Sequence, residues 1–275
     1  MDLRLLVVRH GGLLKAILDL AGLIVLGFVV YSIHQQSPGL DARAYWAADA
    51  AHPYSATYET PGAYLYSPAF IQVLWPLRQL PFEAFFALWL VINATVLAWL
   101  VGPLLAALLV LPTTYSPVWV DLWFGNVMIL TTAAMVVGFR TPAAWSFIVL
   151  TKVTPGVGLI WFLVRREWRS LALACGVTAA IALTSFALAP HQWFEWIENL
   201  RANAAKPEVA LWEGPSWPFR LAAASVIIDV GALMNAWWVM PVGLYFAQPV
   251  TWFIAFVLFL GWVALRRRPR LRPGT

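Results

Sequence analysis

The sequence predicts an all-α integral membrane protein: a polytopic bundle of about eight transmembrane helices, with an outer-face loop and an interfacial helix. Its 275 residues are 61% hydrophobic and 11% charged, whereas soluble domains have about 45–50% and about 25%. No segment alternates with period two over about ten residues, which argues against a β-barrel. Five stretches lack Asp, Glu, Lys and Arg and are each long enough for a span of roughly 20 residues: 20–40, 84–120, 122–139, 170–194 and 230–265.

The predicted spans follow from these stretches and from the prolines and glycines that interrupt them. They are 13–33, 66–79, 82–101, 103–115, 119–139, 142–164, 169–189 and 246–265. Residues 218–240 are also apolar but contain Arg220 and Asp229, and a ninth span would separate the two termini. We therefore expect a re-entrant or interfacial path for this segment.

The positive charge lies at the ends of the predicted spans. The net charge of +5 comes mainly from clusters that include Arg165, Arg166 and the tail 266–275. Such clusters mark the cytoplasmic side, so both termini are expected there, in a multi-pass protein of the cell membrane. We expect this to be a bacterial plasma membrane. This placement predicts membrane lipid as a partner and no nucleic acid. The chain 1–275 is expected to be one membrane domain.

Two polar segments are then predicted to lie together on the outer side. The first is residues 34–65, and the second is residues 190–217. Within the second, residues 191–203 place Trp193, Trp196 and Leu200 on one helical stripe. An amphipathic helix of this kind is typical of a membrane interface.

Asp41 is the first candidate for chemistry, because it follows the first span in a polar loop. A carboxylate there can accept a proton from a sugar hydroxyl as a general base. A solvated aspartate or a helix cap is the simpler interpretation. Asp49 is a weaker candidate for the same role.

Lys152 and Arg220 are candidates for binding a phosphate. Lys152 interrupts an apolar run near its midpoint, where a charge usually faces a cavity or a partner. Thr151, Pro155 and nearby glycines suit a bent helix at this point. A snorkelling lysine or a structural ion pair is the alternative, and Arg220 could equally be an interfacial arginine.

Tyr45, Trp46, Tyr66 and Asn126 are candidate contacts to a sugar or an acceptor. Aromatic rings stack on sugars, but Tyr and Trp also collect at membrane interfaces. Asn126 follows Gly125, and this step could instead serve close packing. The histidines lack metal-ligand spacing and the single cysteine, Cys175, excludes a cysteine cluster, so no metal or cofactor is expected.

An ordered set of motifs resembles glycosyltransferase family 87, the polyprenol-phosphate-mannose-dependent α-mannosyltransferases of the GT-C superfamily. The set consists of Asp41-x-x-x-Tyr45, His52-Pro53-Tyr54, Tyr64-x-Tyr66-Ser67-Pro68, Trp75-Pro76-Leu77, Gly125-Asn126, Thr151-Lys152-x-Thr154-Pro155 and Arg165-Arg166-x-Trp168. The resemblance implies a GT-C-like bundle with an outward-facing active site. It also implies a lipid-linked sugar phosphate donor, with mannose as the sugar and a glycolipid or polysaccharide as the acceptor.

Two other functions remain open from the sequence. Lys152 and the helices broken by proline also suit a transporter or flippase of a lipid-linked or anionic substrate. A non-catalytic membrane partner that keeps the fold is the second, because Asn126 stands where the family has Gln and Met128 where an Asn often follows.

Overall fold

The computed structural model describes residues 3–36, 39–56, 60, 62–111, 116–204, 215–249 and 253–272. All regular elements in these ranges are helices, and none of these residues lies in a β-strand. Parts of the predicted outer segments, such as Tyr58, Glu59 and residues 205–214, lie outside the described residues, as do the last three residues of the tail.

The α-helices are numbered in chain order. They are α1 (Leu3–Gln36), α2 (Leu40–Ala47), α3 (Pro68–Val73), α4 (Trp75–Arg78), α5 (Phe82–Val101), α6 (Pro103–Leu109), α7 (Pro117–Phe124), α8 (Met128–Gly138), α9 (Trp145–Thr151), α10 (Ile160–Val164), α11 (Trp168–Leu188), α12 (Pro190–Ala204), α13 (Trp217–Leu233), α14 (Met240–Phe246) and α15 (Leu260–Arg267). Short 3-10 helices cover Pro142–Ala144, Thr154–Leu159, Trp237–Val239, Phe253–Phe259 and Pro269–Leu271.

Three helices of the described residues are long and apolar enough to cross a membrane: Gly11–Gln36, Phe82–Val101 and Trp168–Leu188. They coincide with three of the predicted spans and confirm the membrane class. Large apolar side chains on α1 and α11, such as Phe28 and Leu183, are about 70% exposed, which lipid can accommodate and water would penalise. The number of eight spans stays a prediction.

The predicted span 119–139 is not a straight helix. It consists of α7 and α8, which meet at a bend of 113° around Gly125 and Asn126. Counted as one bent span, the pair would be a fourth crossing. The glycine and the polar asparagine mark the break in an otherwise apolar sequence.

The predicted span 142–164 is a helical hairpin, which corrects the expectation of a single bent helix. In a straight helix, positions 145 and 162 would lie about 25 Å apart. The rings of Trp145 and Phe162 are instead 6.3 Å apart, and a Cβ on Gly158 would strike the Trp145 ring. The helix α9 ends where Lys152 takes an extended backbone conformation, with φ −139° and ψ 94°. Pro155, which lacks an N–H, lies in the first turn of the 3-10 helix that follows.

The shorter predicted spans are also interrupted. Residues 66–79 form α3 and α4, with Pro76 at the start of the second helix. The helix within 103–115 ends at Leu109. Residues 246–265 contain the 3-10 helix Phe253–Phe259 followed by α15.

The segment 218–240 belongs to a second hairpin. Helix α13 turns at Asn235, which takes a left-handed φ of 53°, and α14 packs back against α13. Arg220 Nη1 donates to the carbonyl of Gln248 over 2.7 Å, which ties the start of α13 to the residues after α14. Along α14 the chain therefore returns towards the end of the molecule at which α13 begins, as a re-entrant path requires. Helix α13 is the longer of the two helices.

The long helices separate two ends of the molecule. At the basic end, Arg140 Nε donates to the Arg270 carbonyl, and Gly102 at the end of α5 lies against the Arg267 guanidinium. At the loop end, α12 follows α11 directly and contacts residues 50–52. Since α5 and α11 have 20 and 21 residues, the two ends lie about 30 Å apart.

Candidate active site

Asp41 lies at the start of α2, which follows the long helix α1. Gly39 precedes α2 with a φ of +54°, and a Cβ there would lie 2.8 Å from the Phe86 ring. Both the backbone conformation and the close approach therefore require glycine. Asp41 and Tyr45 are four residues apart, so they share one face of α2.

The Asp41 carboxylate receives a hydrogen bond from Asn126. The Asn126 side-chain nitrogen Nδ2 lies 2.5 Å from Asp41 Oδ2. Burial raises the pKa of Asp41 above its ordinary value, while the hydrogen bond from Asn126 and the charge of Lys152 lower it. A carboxyl group with a raised pKa is a better proton acceptor than an ordinary aspartate.

The break between α7 and α8 brings Asn126 to this carboxylate. Gly125 has a φ of +69°, and a Cβ there would lie 2.7 Å from the Cβ of Ala42. Trp89 of α5 donates from Nε1 to the Gly125 carbonyl over 2.8 Å. The absence of a side chain at Gly125 thus lets α2 pack directly on the break.

Lys152 lies at the tip of the hairpin formed by residues 142–164. Its ammonium is 5.6 Å from the centre of the Tyr66 ring and interacts electrostatically with Asp41 and Asp121. The ion pairs of the described residues are Lys15–Asp19, His52–Glu195 and Arg165–Glu167. Lys152 is therefore in no ion pair within that part of the chain, which does not support the structural ion pair considered above.

A buried serine joins Tyr66 to the same hairpin. The Ser67 hydroxyl donates to the Leu150 carbonyl over 2.5 Å, at the end of α9 and two residues before Lys152. Tyr64 in turn donates to the Ser67 carbonyl over 2.8 Å. These contacts fix the segment before α3 beside the Lys152 tip.

Tyr45 and Tyr66 belong to one aromatic cluster. Their hydroxyl oxygens are 3.0 Å apart, and the Tyr45 ring packs against those of Phe70 and Trp89. Tyr45 has no exposed surface, whereas Tyr66 is half-buried. Only Tyr66 of the two thus offers a ring face towards Lys152.

The structure does not bring Trp46 and Arg220 into this group. Trp46 donates from Nε1 to the Leu80 carbonyl over 2.8 Å and packs against Phe82. The buried Arg220 donates to the carbonyls of Pro215, Gln248 and Pro249. None of these partners belongs to the segments that carry Asp41, Asn126 and Lys152. The roles of Trp46 and Arg220 in binding sugar and phosphate stay predictions.

The predicted outer segments contact each other on one face. His52 Nδ1 lies 2.7 Å from Glu195 Oε1, and the side chain of Gln192 donates to the Ala50 carbonyl over 2.7 Å. The hydrogen bond to Glu195 raises the pKa of the exposed His52 imidazole, and the charges of Glu195 and Asp49 act in the same direction. Asp49 itself is exposed and accepts from the Ala51 N–H, so it lies apart from Asn126 and Lys152.

Sequence reasoning missed three parts of this arrangement. Asp121 separates the uncharged stretches 84–120 and 122–139 and has no assigned role in the sequence, yet it is fully buried next to the Asn126 break. Ser67 and Leu150, which share a hydrogen bond, are 83 positions apart in the chain. His52 and Glu195 are 143 positions apart. A charge within an apolar run is a local signal, but pairs so distant in the chain leave none in a single sequence.

Comparison with protein families decides the assignment. The model of glycosyltransferase family 87 matches residues 64–274, which is more than two thirds of the chain. The chain belongs to glycosyltransferase family 87. Family 87 membership makes it a membrane glycosyltransferase, as the motifs indicated. The match includes Tyr66, Asn126 and Lys152 and begins after Asp41. No curated protein and no solved structure matches the chain significantly.

Proposed function

We propose that this family 87 protein transfers a sugar, most simply mannose, from a polyprenyl-phosphate donor to an acceptor hydroxyl on the outer face of the membrane. One observation carries the proposal. The Asp41 carboxylate, held by Asn126 over 2.5 Å, interacts electrostatically with Lys152, a half-buried lysine that is in no ion pair with any described residue. A general base and a phosphate-binding cation are the two groups that this transfer needs.

The reaction takes place in a single displacement. Asp41 accepts the proton of the acceptor hydroxyl while the hydroxyl oxygen forms a bond to the anomeric carbon. The bond from that carbon to the donor phosphate breaks, and its electron pair goes to the phosphate oxygen. Lys152 neutralises the charge that develops on the phosphate. Attack from the face opposite to the phosphate inverts the configuration of the anomeric carbon.

The remaining candidates have supporting roles in this scheme. Tyr66 offers its ring to the sugar beside Lys152, and the buried Tyr45 keeps Tyr66 in place through their paired hydroxyls. Asn126 orients the base and lies within reach of the acceptor. Trp46 and Arg220 contribute to the loop and to the second hairpin, and a direct contact to sugar or phosphate is not part of the scheme.

The two ends of the molecule support an outer active site. Arg140, Arg165, Arg267 and Arg270 lie at or near the basic end, and positive charge is typical of the cytoplasmic side. Asp41 lies instead beyond the other end of α1, where it accepts from Asn126 at the α7–α8 break and interacts electrostatically with Lys152 at the tip of the hairpin 142–164. A site below the membrane surface lets the isoprenoid tail of the donor stay in lipid while its phosphate reaches Lys152. The acceptor, a glycolipid or polysaccharide, then enters from the loop end.

The proposal is tested with purified protein in nanodiscs, supplied with a panel of polyprenyl-phosphate sugars and a membrane-lipid extract. We expect transfer from the mannosyl donor, with a product whose anomeric configuration, determined by NMR, is opposite to that of the donor. A product of retained configuration would refute the single displacement.

Two further outcomes separate the alternative functions. Movement of the lipid between leaflets, independent of its sugar and without transfer, would identify a flippase. Donor binding with neither transfer nor hydrolysis, and with equal affinity in Asp41→Asn and Lys152→Met, would identify a non-catalytic partner.

A further inference from the structure

Asp121 is a buried carboxylate that the proposed reaction does not use. It lies on α7 within an apolar sequence and has no exposed surface. An ionised carboxylate at such a place is unfavourable unless other groups compensate its charge. Its position therefore needs a physical explanation.

The carboxylate of Asp121 caps the helix that follows its own. Its two oxygens accept from the N–H groups of Met128 and Ile129, each over 3.3 Å. The first N–H groups of a helix have no partner within the helix. Val127, which stands at the capping position of α8, has no side chain that can accept a hydrogen bond. Asp121 supplies this cap from one turn before the break.

The backbone of Asp121 holds the other side of the break. Its carbonyl accepts from the Asn126 N–H over 2.9 Å. The side-chain oxygen of Asn126 accepts from the Val127 N–H over 2.7 Å, which leaves the side-chain nitrogen directed at Asp41. The orientation of Asn126 thus depends on the same turn that Asp121 closes from both sides.

The charge of Asp121 has a partner in the site. Lys152 interacts electrostatically with Asp121 as well as with Asp41. Neither carboxylate forms an ion pair within 4.0 Å in the described residues, so the lysine balances both from a distance. Among the described residues, the hydrogen bonds of the Asp121 side chain are to backbone N–H groups of α8, so its effect on Asn126 passes through the turn.

We propose that Asp121 is a positioning residue of this site: by closing the α7–α8 turn, it holds the Asn126 amide on the Asp41 carboxylate. This inference rests on the proposed function, because Asp41 is the group that it assists. Asp121 does not touch the donor or the acceptor.

The kinetic test uses Asp121→Asn, which keeps the size of the side chain but replaces one acceptor oxygen with a donor. We expect kcat to fall about tenfold to hundredfold, part of the 10²–10⁴-fold that a general base contributes. The KM for the donor should change less than about threefold, because Lys152 stays in place.

A double substitution distinguishes positioning from a general loss of structure. If Asp121 acts through Asn126, then Asn126→Ala combined with Asp121→Asn should lower kcat no further than the larger single effect. Thr131→Val is the matched control, because its buried hydroxyl donates to the Val127 carbonyl one turn into α8. It removes a hydrogen bond near the break without removing a cap, and kcat should be unchanged.

A measurement without catalysis separates this inference from the proposed function. In a Cys175→Ser background, Asp41→Cys and Asn126→Cys are linked with a short bis-methanethiosulfonate reagent, and unreacted thiols are counted with a mass tag. We expect Asp121→Asn to lower the yield of the cross-link at least threefold and Thr131→Val to leave it unchanged.

Each outcome has a definite meaning. With an active wild type, a reduced kcat without additivity and a reduced cross-link support the positioning role. Full activity of Asp121→Asn, additive losses or an unchanged cross-link overturn it. If the wild type acts on no donor, the proposed function fails, and the cross-link yield alone decides whether Asp121 holds residue 126 against residue 41.

Discussion

At the scale of the residue, three effects compete at the Asp41 carboxylate. Burial raises its pKa, and the Asn126 hydrogen bond and the Lys152 charge lower it. The net effect is a raised pKa of Asp41. As the pH falls, Asp41 is therefore protonated, and loses its activity as a base, at a higher pH than an ordinary aspartate would. The acid side of the pH profile therefore reports on the environment of Asp41.

Removal of the Asn126 amide should move that acid limb to higher pH. The amide donates to the ionised carboxylate, and Asn126→Ala removes a stabilisation of the ionised form that is worth about 1.5–3 kcal/mol. This corresponds to a rise of about 1–2 pH units in the limb of kcat/KM. Gln79→Ala is the control, because its exposed amide donates only to the Trp75 carbonyl. If the acid limb of kcat/KM stays at the same pH in Asn126→Ala, or moves to lower pH, the proposed hydrogen bond from Asn126 to Asp41 is contradicted.

Lys152 should be needed for its charge. Lys152→Met keeps most of the apolar volume and removes the ammonium beside Tyr66. Because the charge on the departing phosphate is then uncompensated, kcat/KM should fall about 10²–10³-fold. Steady-state kinetics at several donor concentrations measure the loss, with Lys15→Met on the exposed part of α1 as the control. Activity within threefold of the wild type would show that Lys152 does not act on the phosphate.

At the scale of the element, the sequence predicts straight helices better than reversals. The boundaries of α5 and α11 were predicted to within a residue, because prolines or charges lie next to long apolar runs. The reversals at Gly125 and after Lys152 were not predicted as such. Two apolar arms of about ten residues that pack against each other have the same hydropathy as one straight span. Gly125-Asn126 and Lys152-x-Thr154-Pro155 were the local signals. The first was interpreted as a packing step or a sugar contact, and the second as a bend that carries a phosphate-binding lysine.

Helix α12 and the loop before Tyr54 are joined by a contact that depends on pH. Glu195 raises the pKa of His52, so the contact stabilises the protein when His52 is protonated. This stabilisation is present below the ordinary pKa of histidine and is lost as the pH rises through the raised pKa. Asp49 and His191 are the other titratable groups next to His52.

Glu195→Gln should therefore remove the pH dependence of α12. In the wild type, the amide hydrogen-exchange rates of residues 190–204 should rise between pH 6 and pH 8 by more than the intrinsic exchange rates do. In Glu195→Gln, the rise should equal the intrinsic one. Glu198→Gln, an exposed position on the same helix, is the control. If Glu195→Gln shows the same rise in exchange rate beyond the intrinsic one as the wild type, the His52–Glu195 pair does not cause it.

At the scale of the whole molecule, composition and family motifs predicted the membrane class and the family, and the structure and the family match confirm both. The sequence also predicted that residues 34–65 and 190–217 lie together on the outer side. Residues 50–52 contact α12, and the outer side stays a prediction. The pairing of the broken helices was beyond prediction, because it depends on contacts such as that of Ser67 with Leu150. The number of crossings and the side of each end stay predictions.

Labelling of single cysteines tests the orientation. In a Cys175→Ser background, Ala51→Cys marks the loop end and Arg166→Cys marks the basic end. Because basic clusters are typical of the cytoplasmic side, an impermeant maleimide added to intact cells should label position 51 and leave position 166 unlabelled until the cells are opened. Labelling of position 166 alone in intact cells would reverse the proposed orientation.

The assignment of Asp41 as the general base is tested by single-turnover sugar transfer at saturating donor, measured for the wild type, Asp41→Asn and Asp49→Asn. We expect Asp41→Asn to be about 10²–10⁴-fold slower with an unchanged affinity for the donor. Asp49→Asn should stay close to the wild type, because Asp49 is exposed and, among the described residues, accepts from the Ala51 N–H of its own loop. Transfer by Asp41→Asn at the rate of the wild type would contradict the assignment of Asp41 as the base.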